Sequence, residues 1–195
     1  MTKAVRAILQ ALSYGNIEVE SARRLADLKK LDPMRIFLKK LDTEICNGDY
    51  KVSVRLYFPN ENTAESGEIS QDSGVILFFH GGGWTTESVE TYDRVCSRMA
   101  QSTGQLVISA EYRLAPEHRF PAGFEDCYAV AEAVFGRKIQ PGIHPGPLTV
   151  FGQSAGGHLA APVCLQARDT GDFAPARPTC ISTPLSTCVT DAPPH

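Results

Sequence analysis

Ser154 lies at the centre of a segment suited to nucleophilic catalysis, Gly152-Gln153-Ser154-Ala155-Gly156-Gly157. An apolar run precedes this segment and a helical pattern follows it, which predicts a sharp turn from strand into helix. Such a turn exposes the serine hydroxyl on a rigid support, and its crowding requires small residues two positions before and after, here Gly152 and Gly156. The first N–H groups of the helix, beginning at Ala155, would point towards the serine. We therefore predict that Ser154 is a nucleophile; the alternative is a glycine-rich turn without chemistry.

A second glycine-rich segment, His80-Gly81-Gly82-Gly83-Trp84, follows the apolar run 75–79. Consecutive glycines let the backbone approach a substrate and direct successive N–H groups inward. The N–H groups of Gly82, Gly83 and Ala155 are the predicted donors to an oxyanion. A glycine-rich loop after a strand could instead hold phosphate. Neither of the two common phosphate-binding glycine patterns, G-x-x-x-x-G-K-[ST] and G-x-G-x-x-G, occurs in this segment, which disfavours that alternative.

The elements that would position these segments alternate between strand and helix. Three short apolar runs predict strands of a sheet that is covered on both faces, at residues 75–79, 106–110 and 148–151. Helical patterns separate or follow them at residues 91–103, 122–136 and 155–168. Upstream, residues 41–46 and 50–58 predict a β-hairpin that turns at Asn47-Gly48-Asp49. In its second strand, the alternation places residues 51, 53, 55 and 57 on the solvent-exposed face. This order predicts a mixed, mostly parallel sheet with right-handed crossovers.

The two ends of the chain differ from this central part. Residues 3–13 and 18–31 have the pattern of amphipathic helices, and Pro33 would end the second. Residues 1–17 also resemble a targeting peptide in part, although a docked helix is favoured. Residues 60–73 are polar and predict a surface loop. The tail, residues 174–195, is rich in proline, serine and threonine and is predicted to be weakly structured, with a hint of a strand at 180–183.

The composition of the 195-residue chain is that of one ordinary globular domain, with 43% hydrophobic and 21% charged residues. A net charge of −3 gives no reason to expect nucleic acid or an anionic membrane as partner. No apolar run is long enough to span a membrane. The six cysteines are scattered, which is typical of a reducing compartment and predicts a cytoplasmic protein. The histidines lack metal-ligand spacing, so neither metal nor cofactor is expected, and the oligomeric state stays open.

Four segments together resemble the hormone-sensitive-lipase-like branch of the α/β-hydrolases. They are the His80–Trp84 loop, Tyr112-Arg-Leu-Ala-Pro-Glu-His118, Phe120-Pro-Ala122 with Asp126, and the segment around Ser154. The resemblance covers roughly residues 40–170 and implies a carboxylesterase that acts on short acyl esters. It also implies that the first two helices form a cap over the pocket. Together with the composition of the tail, this predicts a cap at residues 1–35, a partial α/β-hydrolase core at 36–173 and an atypical tail at 174–195.

The resemblance also implies individual roles. Ser154 would be the nucleophile, and Gly82, Gly83 and Ala155 the oxyanion donors. His80 would brace the oxyanion loop and not act as base, with Gly81, Gly152 and Gly156 supporting the two motifs. A polar network of scaffold residues beside the serine would consist of Arg113, Glu117 and Asp126.

Two departures from the family affect the expected activity. The family usually has an acid just before the nucleophile, where this chain has Gln153, and its catalytic Asp and His lie in a C-terminal part that this chain lacks. After Ser154 the chain offers three acids and two histidines, at positions Asp169, Asp172, Asp191, His158 and His195. His158 lies on the helix after the serine and is expected to pack under the sheet or a loop. Asp191 and His195 lie in the tail, and the sequences around them do not resemble those around the catalytic residues of the family. His118 and His144 lie before the nucleophile in the chain.

The favoured interpretation is therefore a serine carboxylesterase fold that is incomplete at its C-terminus, impaired or inactive as this chain, with an exposed strand edge and a tendency to aggregate. The alternative is a non-catalytic protein that binds a small molecule in the same pocket, since family members that lost the catalytic histidine act as hormone receptors. A third interpretation is a remnant that does not fold stably.

Overall fold

The computed structural model describes residues 19, 23, 40–66, 69, 73–136, 138, 139, 146–174 and 177–181. Within them a six-stranded sheet is flanked by helices. The strands are β1 (Lys40–Asn47), β2 (Tyr50–Tyr57), β3 (Val75–Phe79), β4 (Leu106–Ala110), β5 (Leu148–Gln153) and β6 (Arg177–Ile181). The helices are α1 (Glu61–Ser66), α2 (Asp93–Thr103), α3 (Ala122–Phe135) and α4 (Ala155–Thr170).

The sheet has the strand order β1-β2-β4-β3-β5-β6. The pairs β1–β2 and β2–β4 are antiparallel, while β3–β4, β3–β5 and β5–β6 are parallel. Every residue of β3 and β4 is buried, which explains why both strands are continuous apolar runs in the sequence. The predicted mixed, mostly parallel sheet of an α/β fold is confirmed.

The hairpin β1–β2 turns at Gly48, which has a φ of 58°. Along β2, Val52, Val54 and Leu56 are buried as the alternation predicted. Tyr57 was expected on the solvent-exposed face, and this expectation is wrong, because the residue is fully buried.

Tyr57 is buried because its hydroxyl binds a buried carboxylate on the neighbouring helix. Its Oη donates a 2.7 Å hydrogen bond to Oδ1 of Asp93, the first residue of α2. Arg55 Nη1 and Lys40 Nζ each donate a 2.9 Å hydrogen bond to the same carboxylate. This ion cluster connects the hairpin to α2. It provides hydrogen-bond donors and positive charge to the Asp93 carboxylate, which is 1% exposed.

The three helices predicted beside the parallel strands are present with small shifts at their ends. A short 3-10 turn, Glu90–Tyr92, leads into α2, and α3 begins directly after Pro121. Gly104 and Gly171 end α2 and α4 in the left-handed conformation that helix termini favour.

Two expectations for the loops need correction. Residues 60–73 were expected to be a surface loop, but α1 forms within them, because the side chain of Asn60 accepts a 3.0 Å hydrogen bond from the N–H of Thr63. The tail was expected to be weakly structured, but residues 177–181 form β6 in parallel register with β5. The rest of the tail and the predicted cap, residues 1–35, lie outside the described residues, except that Val19 and Arg23 are both helical.

No helix among the described residues has the length and apolar character needed to cross a membrane.

Candidate active site

Ser154 occupies the turn between the end of β5 and the start of α4. Its φ of 52° and ψ of −117° lie in a region that residues with a side chain rarely adopt. The residue is exposed, whereas Ala155, which follows it, is buried at the first position of the helix. The predicted strand–serine–helix turn is present, and its unusual backbone raises the serine hydroxyl from the end of the sheet.

The two glycines that flank Ser154 are required by contacts between backbone segments. A Cβ atom on Gly152 would lie 2.2 Å from the carbonyl oxygen of Gly156. A Cβ atom on Gly156 would lie 2.0 Å from the carbonyl oxygen of Phe79, at the end of β3. Backbone atoms cannot move aside as a flexible side chain can, so the turn around Ser154 depends on glycine at both positions.

The second predicted motif, residues 80–84, lies against this turn and is named the oxyanion loop below. A Cβ atom on Gly81 would lie 3.6 Å from Cβ of Ser154 and 2.8 Å from Oη of Tyr92. Gly82 and Gly83 have φ values of 109° and 63°, so both adopt conformations that favour glycine. The structure thus brings together the two motifs that the sequence singled out, while the use of the N–H groups of Gly82, Gly83 and Ala155 as oxyanion donors stays a prediction.

His80 is fully buried at the base of the oxyanion loop. Its ring stacks on Tyr112 with centroids 4.3 Å apart, and its Nδ1 donates a 2.8 Å hydrogen bond to the carbonyl of Gly81. Burial lowers the pKa of the imidazole to about 4, which keeps it neutral near pH 7. A neutral ring that is stacked and hydrogen bonded within its own loop is suited to bracing the loop.

Arg113 and Asp126 form most of the predicted polar network. Arg113 donates from Nε and Nη2 to the Asp126 carboxylate, both at 2.8 Å, and its backbone N–H donates to Oδ2 at 2.9 Å. Asn47 adds a fourth hydrogen bond at 2.8 Å, and the guanidinium lies 4.4 Å from the ring centre of Tyr50. Asp126 is fully buried, so these donors replace the water that its charge has lost.

Glu117 was expected in the same network, and that expectation is wrong. Glu117 is exposed and binds Arg23, whose Nη1 and Nη2 each donate a 2.7 Å hydrogen bond to its carboxylate. These hydrogen bonds lower the pKa of Glu117 to about 2. Sequence reasoning missed Arg23 because the two residues are 94 positions apart and neither carries a local signal for the other.

The candidate bases after Ser154 are arranged differently from what the sequence predicted. His158 was expected to pack under the sheet or a loop, but it is exposed, because α4 turns this side outward, and its ring centre lies 5.6 Å from that of Trp84. Asp169 pairs with Arg168 and Asp172 accepts a hydrogen bond from Tyr128, both at the far end of α4. At 1.5 Å per helical residue this end is about 20 Å from Ser154. His118 is exposed, and His144, Asp191 and His195 lie outside the described residues.

A cavity of about 430 Å³ opens beside the oxyanion loop. It lies between that loop and the loop that follows β4. Its lining is mostly apolar and aromatic: Gly83, Trp84, Thr85, Tyr112, Arg113, Ala115, His118, Phe120, Gly123, Phe124 and Leu159. A site of this size and lining fits a small organic molecule with few polar groups.

A second groove, of about 790 Å³, lies at the opposite end of α4 beside Phe135 and Phe173. It does not include Ser154 or the oxyanion loop. Among the described residues no three His, Cys, Asp or Glu side chains come together as a metal site would require.

Known proteins share this arrangement of strands. A sequence profile described as alpha/beta hydrolase fold matches residues 76–194, a range that includes both glycine-rich motifs. In structure, the chain is similar to an esterase of Pyrobaculum calidifontis, with a TM-score of 0.69 and 32% identity over 89% of this chain and 55% of the other. The chain therefore belongs to the α/β-hydrolase fold family, in the branch of the hormone-sensitive-lipase-like esterases.

Among curated proteins the chain is similar to Esterase LipI of Mycobacterium tuberculosis, with 35% identity over 78% of this chain and 46% of the relative. It is also similar to an arylesterase of Saccharolobus solfataricus, with 36% identity over 66% of this chain and 39% of the relative. The chain thus spans less than half the length of these curated relatives.

Proposed function

We propose that this chain carries the nucleophile and the oxyanion hole of a carboxylic ester hydrolase. Ser154 Oγ attacks the ester carbonyl, the C–O bond to the alcohol breaks, and the acyl group is transferred to the serine before water releases the acid. The observation that carries the proposal is the strained backbone of Ser154, held directly against the oxyanion loop. Strain of this kind is maintained at positions where it serves a site.

The oxyanion that develops during attack is held by backbone donors. The N–H groups of Gly82, Gly83 and Ala155 would donate hydrogen bonds to this oxyanion, and the N-terminus of α4 adds the positive end of its dipole. Loss of one donor of this type costs about 3–4 kcal/mol of transition-state stabilisation.

The substrate class is a small ester with an apolar acyl or alcohol group. The 430 Å³ cavity adjoins Gly83 and is walled by Trp84, Phe120 and Phe124. The names of the relatives, an esterase and an arylesterase, agree with an ester substrate. The cavity wall is nearly free of unpaired charge, since Arg113 is neutralised by Asp126, so uncharged esters are favoured.

Turnover by this chain is expected to be impaired. The proton of Ser154 needs a base. Among the described residues after Ser154, His158 lies one turn further along the same helix, and Asp169 and Asp172 lie at the other end of α4. An esterase site without its triad partners retains about 10³–10⁴-fold acceleration over the uncatalysed reaction through binding and the oxyanion hole. We therefore expect slow acylation and slower release.

The test combines a covalent probe with turnover. The purified chain is treated with a fluorophosphonate and digested, and the adduct is located by mass spectrometry; p-nitrophenyl acetate hydrolysis is measured in parallel. Ser154→Ala is the variant, and Ser66→Ala, at the exposed end of α1, is the matched serine control. We expect one adduct at Ser154, absent from Ser154→Ala and unchanged in Ser66→Ala, with turnover within about tenfold of Ser154→Ala.

Two other outcomes are informative. Turnover more than a hundredfold above Ser154→Ala would show that a complete triad exists and would overturn the expected impairment. A folded chain without any adduct at Ser154 would overturn the proposal that Ser154 is a nucleophile. The 430 Å³ cavity would then favour the second candidate function, binding of a small apolar molecule without chemistry, which calorimetry with an uncleaved ester analogue would detect.

A further inference from the structure

One guanidinium joins three separate segments at the edge of the 430 Å³ cavity. Nε of Arg23 donates a 2.8 Å hydrogen bond to the carbonyl of Thr85, directly after the oxyanion loop. Nη2 donates a 3.0 Å hydrogen bond to the carbonyl of Ala115, in the loop after β4. Nη1 and Nη2 bind the carboxylate of Glu117 at 2.7 Å each. All three nitrogens of the group are therefore engaged.

The two carbonyl contacts are the informative ones. The ion pair between Arg23 and Glu117 is partly exposed, with side chains 33% and 55% accessible, so it adds little to the stability of the fold. Thr85 and Ala115, in contrast, both line the cavity. Arg23 also spans the point where the two loops already meet, at the 2.8 Å hydrogen bond from the N–H of Ala115 to the carbonyl of Trp84.

The segment that Arg23 holds needs support. Gly82, Gly83, Trp84 and Glu87 all have positive φ values, between 61° and 109°. Such a run is costly for residues with side chains and persists only where neighbouring contacts fix it. Within the loop, Thr86 donates hydrogen bonds of 2.9 Å from its N–H and its Oγ1 to the carbonyl of Gly82. Arg23 adds a constraint from a distant part of the chain.

We propose that Arg23 is a positioning residue for the oxyanion loop: its guanidinium fixes the carbonyls of Thr85 and Ala115 and so holds the N–H groups of Gly82 and Gly83 in place. This inference rests on the proposed function, because the positioned groups are its oxyanion donors. Arginine suits the role because its planar group directs several donors at fixed angles, which a lysine ammonium does not.

The test uses the single tryptophan of the chain as a reporter. Trp84 lies between Gly83 and Thr85 and is 43% exposed, so acrylamide quenching of its emission follows the loop directly. The variants are Arg23→Ala, Arg23→Lys and Glu117→Gln, with Arg168→Ala as the control for loss of an arginine that pairs with an exposed acid. For each we measure quenching, the rate of Ser154 modification by a fluorophosphonate as a function of probe concentration, and Tm.

We expect Arg23→Ala to increase quenching and to lower the limiting modification rate by about tenfold, with half-saturation by the probe changed little and Tm close to that of Arg168→Ala. Arg23→Lys should recover only a small part of the rate, because one ammonium cannot serve three acceptors. Glu117→Gln should have a smaller effect than Arg23→Ala, since both carbonyl contacts stay available.

The proposal is overturned if Arg23→Ala shows the quenching and the modification rate of the unchanged chain. It is also overturned if the rate falls only in proportion to a loss of Tm, which is the result of a purely structural role. If Ser154 of the unchanged chain is not modified, the proposed function fails, and the quenching comparison still decides whether Arg23 holds the loop.

Discussion

The hydroxyl of Tyr112 donates a 2.7 Å hydrogen bond to the backbone carbonyl of His80, while the rings of the two residues stack with centroids 4.3 Å apart. Both residues are buried, and they join the loop after β4 to the base of the oxyanion loop. The position of the oxyanion-loop glycines therefore depends on Tyr112, which lies 32 positions after His80 in the chain.

Replacement of this tyrosine hydroxyl gives the first prediction. Tyr112→Phe should keep the ring stacking and leave the carbonyl of His80 without its donor, lowering the free energy of unfolding by about 1–3 kcal/mol. Urea denaturation measures the change. Tyr128→Phe is the control, because its hydroxyl binds the exposed Asp172, and we expect a change below about 0.5 kcal/mol. Equal effects of the two substitutions would contradict the prediction.

The glycine after Ser154 gives the second prediction. Gly156→Ala should destabilise the fold by more than about 3 kcal/mol or prevent folding, since its Cβ would lie 2.0 Å from the carbonyl oxygen of Phe79. Gly171→Ala is the matched control, because Gly171 has a φ of 75° but open space around it. Its cost should be about 1 kcal/mol, from backbone strain alone. Comparable melting temperatures for the two variants would show that the contact at Gly156 relaxes.

The buried imidazole of His80 gives a prediction about pH. Burial lowers the pKa of His80 from 6.5 to about 4, so between these values the unfolded chain binds a proton that the folded chain does not. The contribution of the neutral His80 to the free energy of unfolding is complete above pH 6.5 and is lost as the pH falls towards 4. At pH 5 it should lower the free energy of unfolding by about 2 kcal/mol relative to pH 8.

The comparison of variants isolates this contribution from that of the carboxylates. Urea denaturation at pH 5 and pH 8 should show a smaller pH dependence for His80→Gln than for the unchanged chain. A pH dependence that is identical in the two proteins would rule out a depressed pKa at His80.

The buried carboxylate of Asp126 gives the fourth prediction. Asp126→Asn should remove the charge that Arg113 neutralises and place an amide donor against a donor of either Asn47 or Arg113, at a cost of about 3–5 kcal/mol. Asp169→Asn, at an exposed acid that pairs with Arg168, should cost less than about 0.5 kcal/mol. Thermal unfolding followed by circular dichroism distinguishes the two, and a small effect at Asp126 would mean that the network repacks.

Sequence patterns predicted the structure correctly where the cause of a feature lies in neighbouring residues of the chain. The strands β3 and β4 are buried on both faces, and their residues are apolar without interruption. The turn at Ser154 requires glycine on both sides, and that requirement is visible as a motif. The capped helix α1 was also within reach, because Asn60 precedes an acidic first turn, but the polar composition of that stretch suggested a loop.

The parts that the sequence did not predict depend on contacts between distant segments. In the alternating pattern of β2, Tyr57 falls on the polar side. It is buried because its hydroxyl binds Asp93 of α2, a residue 36 positions away in the chain. Arg23 has the appearance of a solvated charge on a helix, and only the folded chain places it against Thr85 and Glu117. Strand β6 contains a proline and lies in a polar stretch, so the sequence carries only a hint of a strand at residues 180–183 and no sign of its pairing with β5.

The contact between Gly156 and the end of β3 also bears on the order in which the chain matures. The backbone of Ser154 is held in its unusual conformation only after β3 and β5 have paired, with Phe79 opposite Gly152. Pairing between strands so far apart in sequence is slow compared with the formation of helices and hairpins. A chain that is still folding therefore presents Ser154 as an ordinary hydroxyl group. The reactivity proposed for Ser154 would therefore arise only when the centre of the sheet is complete.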